Sequence, residues 1–249
     1  MEVGFKTDKG KQRSNNEDAC YVMPQNRIFI VADGVGGSNS GEIASRTAVN
    51  GIRKYVEDHP LSKTASAHRI KKYFNDCLKE VNFAILDSSQ RFEENRGMAT
   101  TVVIAYIVRD RMYVMNVGDS RAYIFRKGKL TQITEDHTYV NSLVKAGIIT
   151  KEEAVFHENK NMITRAVGAD HKIEPDFFTT KLREDDIILM CTDGLYGEVK
   201  QAELIQKLSA GKTMGDTCYD LIDAANTNGG NDNITLICLK ITEDDINEQ

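Results

Sequence analysis

The 249-residue sequence predicts an α+β fold of two antiparallel β-sheets with helices packed outside them. Short β-branched and aromatic runs, bounded by Gly, Asp and Asn, stand on both sides of two long helical segments. Several runs in the middle of the chain follow one another across hairpin-like turns. The order is not a βαβ alternation, which disfavours a parallel doubly wound sheet.

Residues 27–32, RIFIVA, read as a strand that stops at Asp33-Gly34, and a shorter strand-like run covers 20–23. From 41 to 57, Ile43, Thr47, Ala48, Ile52, Tyr55 and Val56 recur near a 3.6-residue period and predict a helix. From 65 to 91, Ile70, Phe74, Leu78, Val81, Ala84 and Ile85 do the same. Residues 99–108, 111–117 and 121–125 read as strands, as do 186–191 and 234–241. Shorter helices are expected around 139–145, 202–208 and 215–226. There is no repeat, low-complexity tract or linker, so one domain over residues 1–249 is the expectation.

Hydrophobic residues make up 41% and charged residues 28%, ordinary values for a folded chain. The net charge of -5 opposes a general nucleic-acid binder, which carries a basic field to meet phosphates. Cys20, Cys77, Cys191, Cys218 and Cys238 form no CxxC and are odd in number. They read as free, mostly buried thiols in a reducing compartment rather than as disulfides or a zinc site. No stretch approaches the roughly 20 apolar residues that span a bilayer, and the polar first residues lack a signal-peptide core. A soluble, cytoplasmic protein without membrane contact is expected, with a monomer as the default.

Acidic residues gather at strand ends. Asp33, Asp119 and Asp193 each follow an apolar run, Asp232 precedes the last one, and Glu17 and Asp18 precede the run at 20–23. Hard cations such as Mg²⁺ and Mn²⁺ take oxygen ligands, and stiff strand ends can hold carboxylates at fixed spacing. Each acid also has a plainer reading. Asp33-Gly34 and Asp193-Gly194 are turn dipeptides, Gly118-Asp119 is a hairpin signal, and Asp232 passes as a loop residue. Only their joint occurrence favours a metal site.

The turn at 33–38, DGVGGS, leads into a helix and lets backbone approach a cation or a phosphate. A flexible strand-to-helix turn fits it as well. It is not a Walker A loop, and GxGxxG is absent. Arg13 has the guanidinium geometry that matches phosphate, or is a solvated surface residue.

With these pieces in order, the chain resembles the metal-dependent protein phosphatases of the PPM class, type 2C, in their small bacterial form. The resemblance runs from about Gly4 to about Ile241. It rests on RSNNEDA (13–19), VADGVGG (31–37), GEIAS (41–45), GMATT (97–101) and VGDSRAY (117–123). It continues through TEDHT (134–138), ITRAVG (163–168), CTDGLY (191–196) and GGNDNIT (229–235). It implies a central sandwich of two antiparallel sheets with helices on both outer faces. It also implies hydrolysis of phosphoserine and phosphothreonine in proteins by a hydroxide shared between two divalent metals, Mn²⁺ or Mg²⁺.

Residue by residue, the resemblance makes Asp33 the bridging ligand of the two core ions and Gly34 a carbonyl ligand. Asp193 and Asp232 match the other core carboxylates. Asp119, with Asp193 shared, matches the ligand of a third, weaker ion. Glu17 and Asp18 match the acidic pair that orders metal-bound water, and Arg13 the phosphate-binding arginine. Catalysis is thereby assigned to Arg13, Asp33, Asp193 and Asp232. Residues of about 138–164 match a flap beside the site. The resemblance further implies phosphoprotein substrates, with a serine/threonine kinase of the same cell as partner and substrate.

Two positions depart from the wider family. Val35 stands where many eukaryotic members carry a histidine proposed as general acid, and Ala99 replaces a glycine. His137 is a candidate acid by residue type alone; a histidine capping a turn is the preferred reading. Two rivals share the residues: a non-catalytic regulatory relative and a two-metal nuclease. The core carboxylates oppose the first, and the acidic balance opposes the second.

Overall fold

A computed structural model describes residues 1–37 and 40–247. Strands β1 (Glu2–Asp8), β2 (Asp18–Met23) and β3 (Ile28–Val35) precede helices α1 (Ser40–Asp58) and α2 (Ala67–Arg91). Strands β4 (Ala99–Thr100), β5 (Val102–Val108), β6 (Arg111–Val117), β7 (Arg121–Arg126) and β8 (Lys129–Gln132) follow. Next come α3 (Tyr139–Lys145), α4 (Lys151–Phe156), β9 (Asp176–Lys181) and β10 (Ile187–Cys191). The last elements are α5 (Asp193–Tyr196), α6 (Gln201–Leu208), α7 (Met214–Asn228), β11 (Ile234–Lys240) and α8 (Glu243–Asn247).

The strands form two sheets, ordered β1-β11-β10-β7-β8 and β2-β3-β5-β6-β9, with β4 paired to β3. Every strand pair is antiparallel. Alternation along each strand explains the layering, because successive side chains point to opposite faces. On β3, Phe29 and Val31 face Val103, Ile188, Met190 and Ile237 in the core between the sheets. Ile28, Ile30 and Ala32 face the other way, onto Ala48, Ile52, Phe74 and Leu78 of α1 and α2. On the second sheet, Leu189, Cys191, Leu236 and Cys238 face Leu204, Leu208, Cys218 and Leu221 of α6 and α7. The architecture is helices, sheet, sheet, helices, as expected from the sequence.

Several elements lie within a residue or two of their sequence-based bounds, notably α1, β6 and β10, whereas β3 does not stop at Asp33-Gly34 but continues through them to Val35, where Gly34 and Val35 pair with Thr100 and Ala99 of β4. α2 starts where the Ser66 side chain accepts the Arg69 backbone N–H. β1 was not legible. It is an edge strand paired to β11, with Phe5 exposed and only Gly4 buried, so its polar alternation is weak. The run at 99–108 divides at Thr101, whose Oγ1 accepts the Asp33 N–H at 2.9 Å and whose own N–H donates to Asp33 O at 2.8 Å. The cysteines of the described residues are free, and all but Cys20 are buried. No helix of the described residues is long and apolar enough to cross a membrane.

Candidate active site

Topology brings the acids to one end of the sandwich. Asp18 and Asp33 are register partners across β2 and β3. β3 and β6 are both antiparallel to β5, so they run the same way, and Asp119 follows β6 at the edge where Asp33 lies near the end of β3. In the other sheet β10 is antiparallel to β11. Asp193, just after β10, therefore meets Asp232, just before β11. The sheets are tied across the site by Thr192, whose Oγ1 donates to Asp18 Oδ2 at 2.9 Å.

Asp33 is held by its backbone. Besides the Thr101 bonds, its carbonyl accepts from Thr100 Oγ1 at 2.8 Å. Gly34 donates its N–H to Glu17 O at 3.1 Å, and the Glu17 N–H donates to Asn233 Oδ1 at 2.8 Å. A Cβ at Gly34 would sit 2.0 Å from Gly41 O, so only glycine lets α1 start this close. Of the Gly-rich turn, Ser38 lies outside the described residues.

The electrostatics are those of crowded carboxyls. Burial pushes Asp18 up to about 8; repulsion from Asp193 and Asp232 adds to this, against bonds from Thr192 and Thr235. Burial, then Asp18, Asp193, Asp119 and Asp232, push Asp33 well above the carboxylate range. Burial raises Asp119 to about 7, helped by Asp193. Asp193 is raised by burial and then by Asp232. Asp193 Oδ1 is buried and accepts no hydrogen bond. Without a counter-cation, this charge is relieved only by taking up protons.

These residues fit a hard divalent cation. The donors are oxygens, their charges oppose one another, and one carboxylate oxygen is orphaned. The acids are not closed on a single point. Among the described residues, no three Asp, Glu, His or Cys side chains stand at metal-binding spacing. Asp232 is turned onto Arg13, whose Nη2 donates to its Oδ2 at 2.7 Å. Arg13 is half exposed, with its guanidinium against the acid cluster rather than loose in solvent.

His137 caps a turn. Its Nδ1 accepts the Gly118 N–H at 3.1 Å, and Nε2 lies 3.1 Å from Asp176 Oδ2. Nδ1 is therefore the acceptor and Nε2 the proton donor to Asp176. Burial pushes its pKa down despite that partner. The next residues, 138–164, make α3 and α4. Their ends are joined by the Thr138–Ile163 bridge, and Ile148, Val155, Phe156 and Met162 are exposed on them.

Sequence reading missed the residues that support the acids. Tyr196, Arg121 and Asp136 lie inside the quoted motifs, yet no role was read for them. Arg121 binds Asp136 through Nε and Nη2 and stacks 3.5 Å from the Tyr196 ring centroid. Tyr196 in turn bonds Asp119. An Arg between an aromatic and an acid was the available signal, but their pairing depends on the fold.

The chain is similar to known proteins over most of its length. Residues 7–234 match the family described as Protein phosphatase 2C. The chain is 36% identical over 245 residues to the serine/threonine phosphatase stp of Listeria innocua, covering 96% of each chain. The solved serine/threonine phosphatase of S. agalactiae superposes with a TM-score of 0.89 at 35% identity, over 96% of this chain and 99% of that one. The catalytic domain of the serine threonine protein phosphatase PstP, solved in complex with 2 manganese ions, superposes at 0.84 with 31% identity, over 97% and 98%. The chain belongs to the protein phosphatase 2C family, which depends on divalent metal, and is a protein serine/threonine phosphatase acting on phosphoproteins.

Proposed function

We propose that the phosphatase works through two core cations held by Asp33, Asp193, Asp232 and the Gly34 carbonyl, with a third, weaker ion at Asp119 and Asp193. The observation that carries this is the convergence of Asp18, Asp33, Asp119, Asp193 and Asp232 on one end of the sandwich, with Asp193 Oδ1 unpartnered. When bound, the divalent cations supply charge neutralisation and an activated water for attack on phosphorus. Asp33, clamped at its backbone through Thr100 and Thr101, would be the carboxylate shared by both core cations. Glu17 and Asp18 orient water by hydrogen bonds, and Asp18 is itself oriented by Thr192. Arg13 leaves Asp232 for the non-bridging oxygens of the phosphoryl group and holds them in line. Water attacks phosphorus directly as the bond to the serine or threonine oxygen breaks, and the hydroxyl side chain leaves with a proton, so no phosphoenzyme forms.

The same reading makes residues 1–249 one domain with a flap at about 138–164. The enzyme works as a monomer in the cytoplasm, without membrane or nucleic-acid partner, and reverses a serine/threonine kinase of the same cell. The whole-chain likeness to bacterial serine/threonine phosphatases supports phosphoprotein substrates, whose phosphate a serine/threonine kinase must first attach. Mn²⁺ and Mg²⁺ both suit the oxygen ligands.

The test is release of phosphate from a phosphothreonine peptide with Mn²⁺, with EDTA and with Asp193→Ala, with DNA and RNA as competing substrates. Release that Mn²⁺ supports, and that EDTA and the substitution abolish, bears the reading out. No release from a folded sample with either metal sinks it in favour of a regulatory relative. Cleavage of DNA or RNA in preference to the peptide promotes the nuclease.

A further inference from the structure

Tyr196 closes α5, the single helical turn that Asp193 opens. Its hydroxyl donates to the Asp119 backbone oxygen at 3.0 Å and stands 3.4 Å from Asp119 Oδ2. The phenolic proton goes to the main-chain oxygen, with the carboxylate at the outer edge of hydrogen-bond reach. The ring is fixed from behind by the Arg121 guanidinium, 3.5 Å from its centroid. Arg121 is locked in turn by Asp136, through Nε to Oδ1 at 3.0 Å and Nη2 to Oδ2 at 2.6 Å. A third bond runs from Arg121 Nη1 to Tyr123 OH at 2.9 Å.

Asp119 follows Gly118, whose φ of 102° is open to glycine but costly for other residues. The buried Asp119 carboxylate meets its own backbone N–H within the turn, so anchoring the Asp119 main chain from outside the turn orients the carboxylate as well. Tyr196 does so from the helical turn that carries Asp193, the other acid assigned to the weaker ion. Residues three apart on a helical turn lie on one side of it. Asp193 and the phenol are therefore at a fixed separation, and the phenol transfers that spacing to Asp119.

We propose that Tyr196 is a positioning residue that sets the Asp119 carboxylate against Asp193 for the weaker cation. This rests on the reading of Asp119 and Asp193 as that ion's ligands. Hydrogen-bonding partners of metal-bound carboxylates typically change metal affinity by about 10–100-fold when lost. A tyrosine that merely filled space would leave affinity unchanged when only its hydroxyl is removed.

Tyr196→Phe keeps the ring, its packing and the Arg121 stack. The experiment titrates Mn²⁺ into metal-free wild type, Tyr196→Phe and Asp119→Ala, following free Mn²⁺ by electron paramagnetic resonance. The melting temperature of each metal-free protein is read alongside. Asp119→Ala is expected to remove the weakest binding step. Tyr196→Phe is expected to weaken that same step by about tenfold. Its tighter steps should stay within about twofold, and its melting temperature should fall by only about 2–6 °C, the cost of one buried hydrogen bond. If Asp119→Ala removes the step and Tyr196→Phe leaves it unchanged, the positioning role is wrong and the ligand assignment stands. If Tyr196→Phe weakens all steps alike or lowers the melting temperature substantially, its role is structural and the proposal is overturned. If Asp119→Ala removes no step, the ligand assignment fails and takes the proposal with it.

Discussion

Arg13 donates from Nη2 to Asp232 Oδ2 at 2.7 Å, so the phosphate-binding candidate lies on a carboxylate that the proposed mechanism gives to a cation. The pair is partly exposed on both sides, and such pairs are worth about 0–1 kcal/mol. Arg13→Ala should therefore leave the melting temperature within about 2 °C. It should lower kcat/KM on a phosphothreonine peptide by about a hundredfold, the scale of losing one charged donor to a transition state. Mn²⁺ should bind the variant at least as tightly as wild type, because Asp232 no longer has a competing partner. Steady-state kinetics and calorimetric Mn²⁺ titration check this together. Weaker Mn²⁺ binding in the variant would mean that Arg13 builds the acid site rather than reading phosphate.

The raised carboxyls fix the sign of a pH effect. In the metal-free protein Asp18 titrates near 8 and Asp119 near 7, against about 4 when unfolded. Between those values the folded protein holds more protons than the unfolded one, so these groups make stability fall as pH rises. In EDTA the melting temperature should drop between pH 5.5 and 8, and Asp18→Asn should flatten the drop. With saturating Mn²⁺ the trend should weaken or reverse, because cations replace the protons. A metal-free melting temperature that rises with pH, and does so equally in Asp18→Asn, would contradict the assignment of charge crowding to this end of the sandwich.

Gly34 offers a test of backbone proximity. A Cβ there would lie 2.0 Å from Gly41 O and 2.6 Å from Glu17 O, both main-chain atoms that move only with their elements. Gly34→Ala should cost about 1–3 kcal/mol by overpacking and lower the melting temperature by several degrees. Gly37→Ala is the control, since no heavy atom of the described residues beyond its chain neighbours lies within 4 Å of its added Cβ. Thermal melts of the two variants should separate clearly. Equal melting temperatures would show that the start of α1 yields easily and that Gly34 is not needed for the approach.

Much of the fold was legible because its periods are clean. Ile28, Ile30 and Ala32 alternate with Phe29 and Val31, so the strand and its two buried faces follow from the sequence. β8 and β9 escaped because KLTQ and DFFTTK sit at sheet edges and are only partly buried, which blurs alternation. The acids were visible because each interrupts an apolar run at its end. Their supports were not. Thr192 reaches Asp18 across 174 residues and Tyr196 reaches Asp119 across 77. Such contacts arise from how the sheets stack, and no local pattern encodes them.

The segment proposed as a flap provides a local measurement. α4 buries no residue, so its six residues depend on local interactions. Thr150 supplies them through a capping box: its Oγ1 accepts the Glu153 N–H at 3.2 Å, and Glu153 Oε2 accepts the Thr150 N–H at 2.7 Å. Thr150→Ala removes the hydroxyl and should cost α4 about 1 kcal/mol. That corresponds to about fivefold faster hydrogen exchange at amides of residues 151–156. The global melting temperature should not move, because nothing in the core leans on α4. Unchanged exchange at these amides, or a fall in the global melting temperature, would show that α4 is held by the rest of the protein and not by its cap.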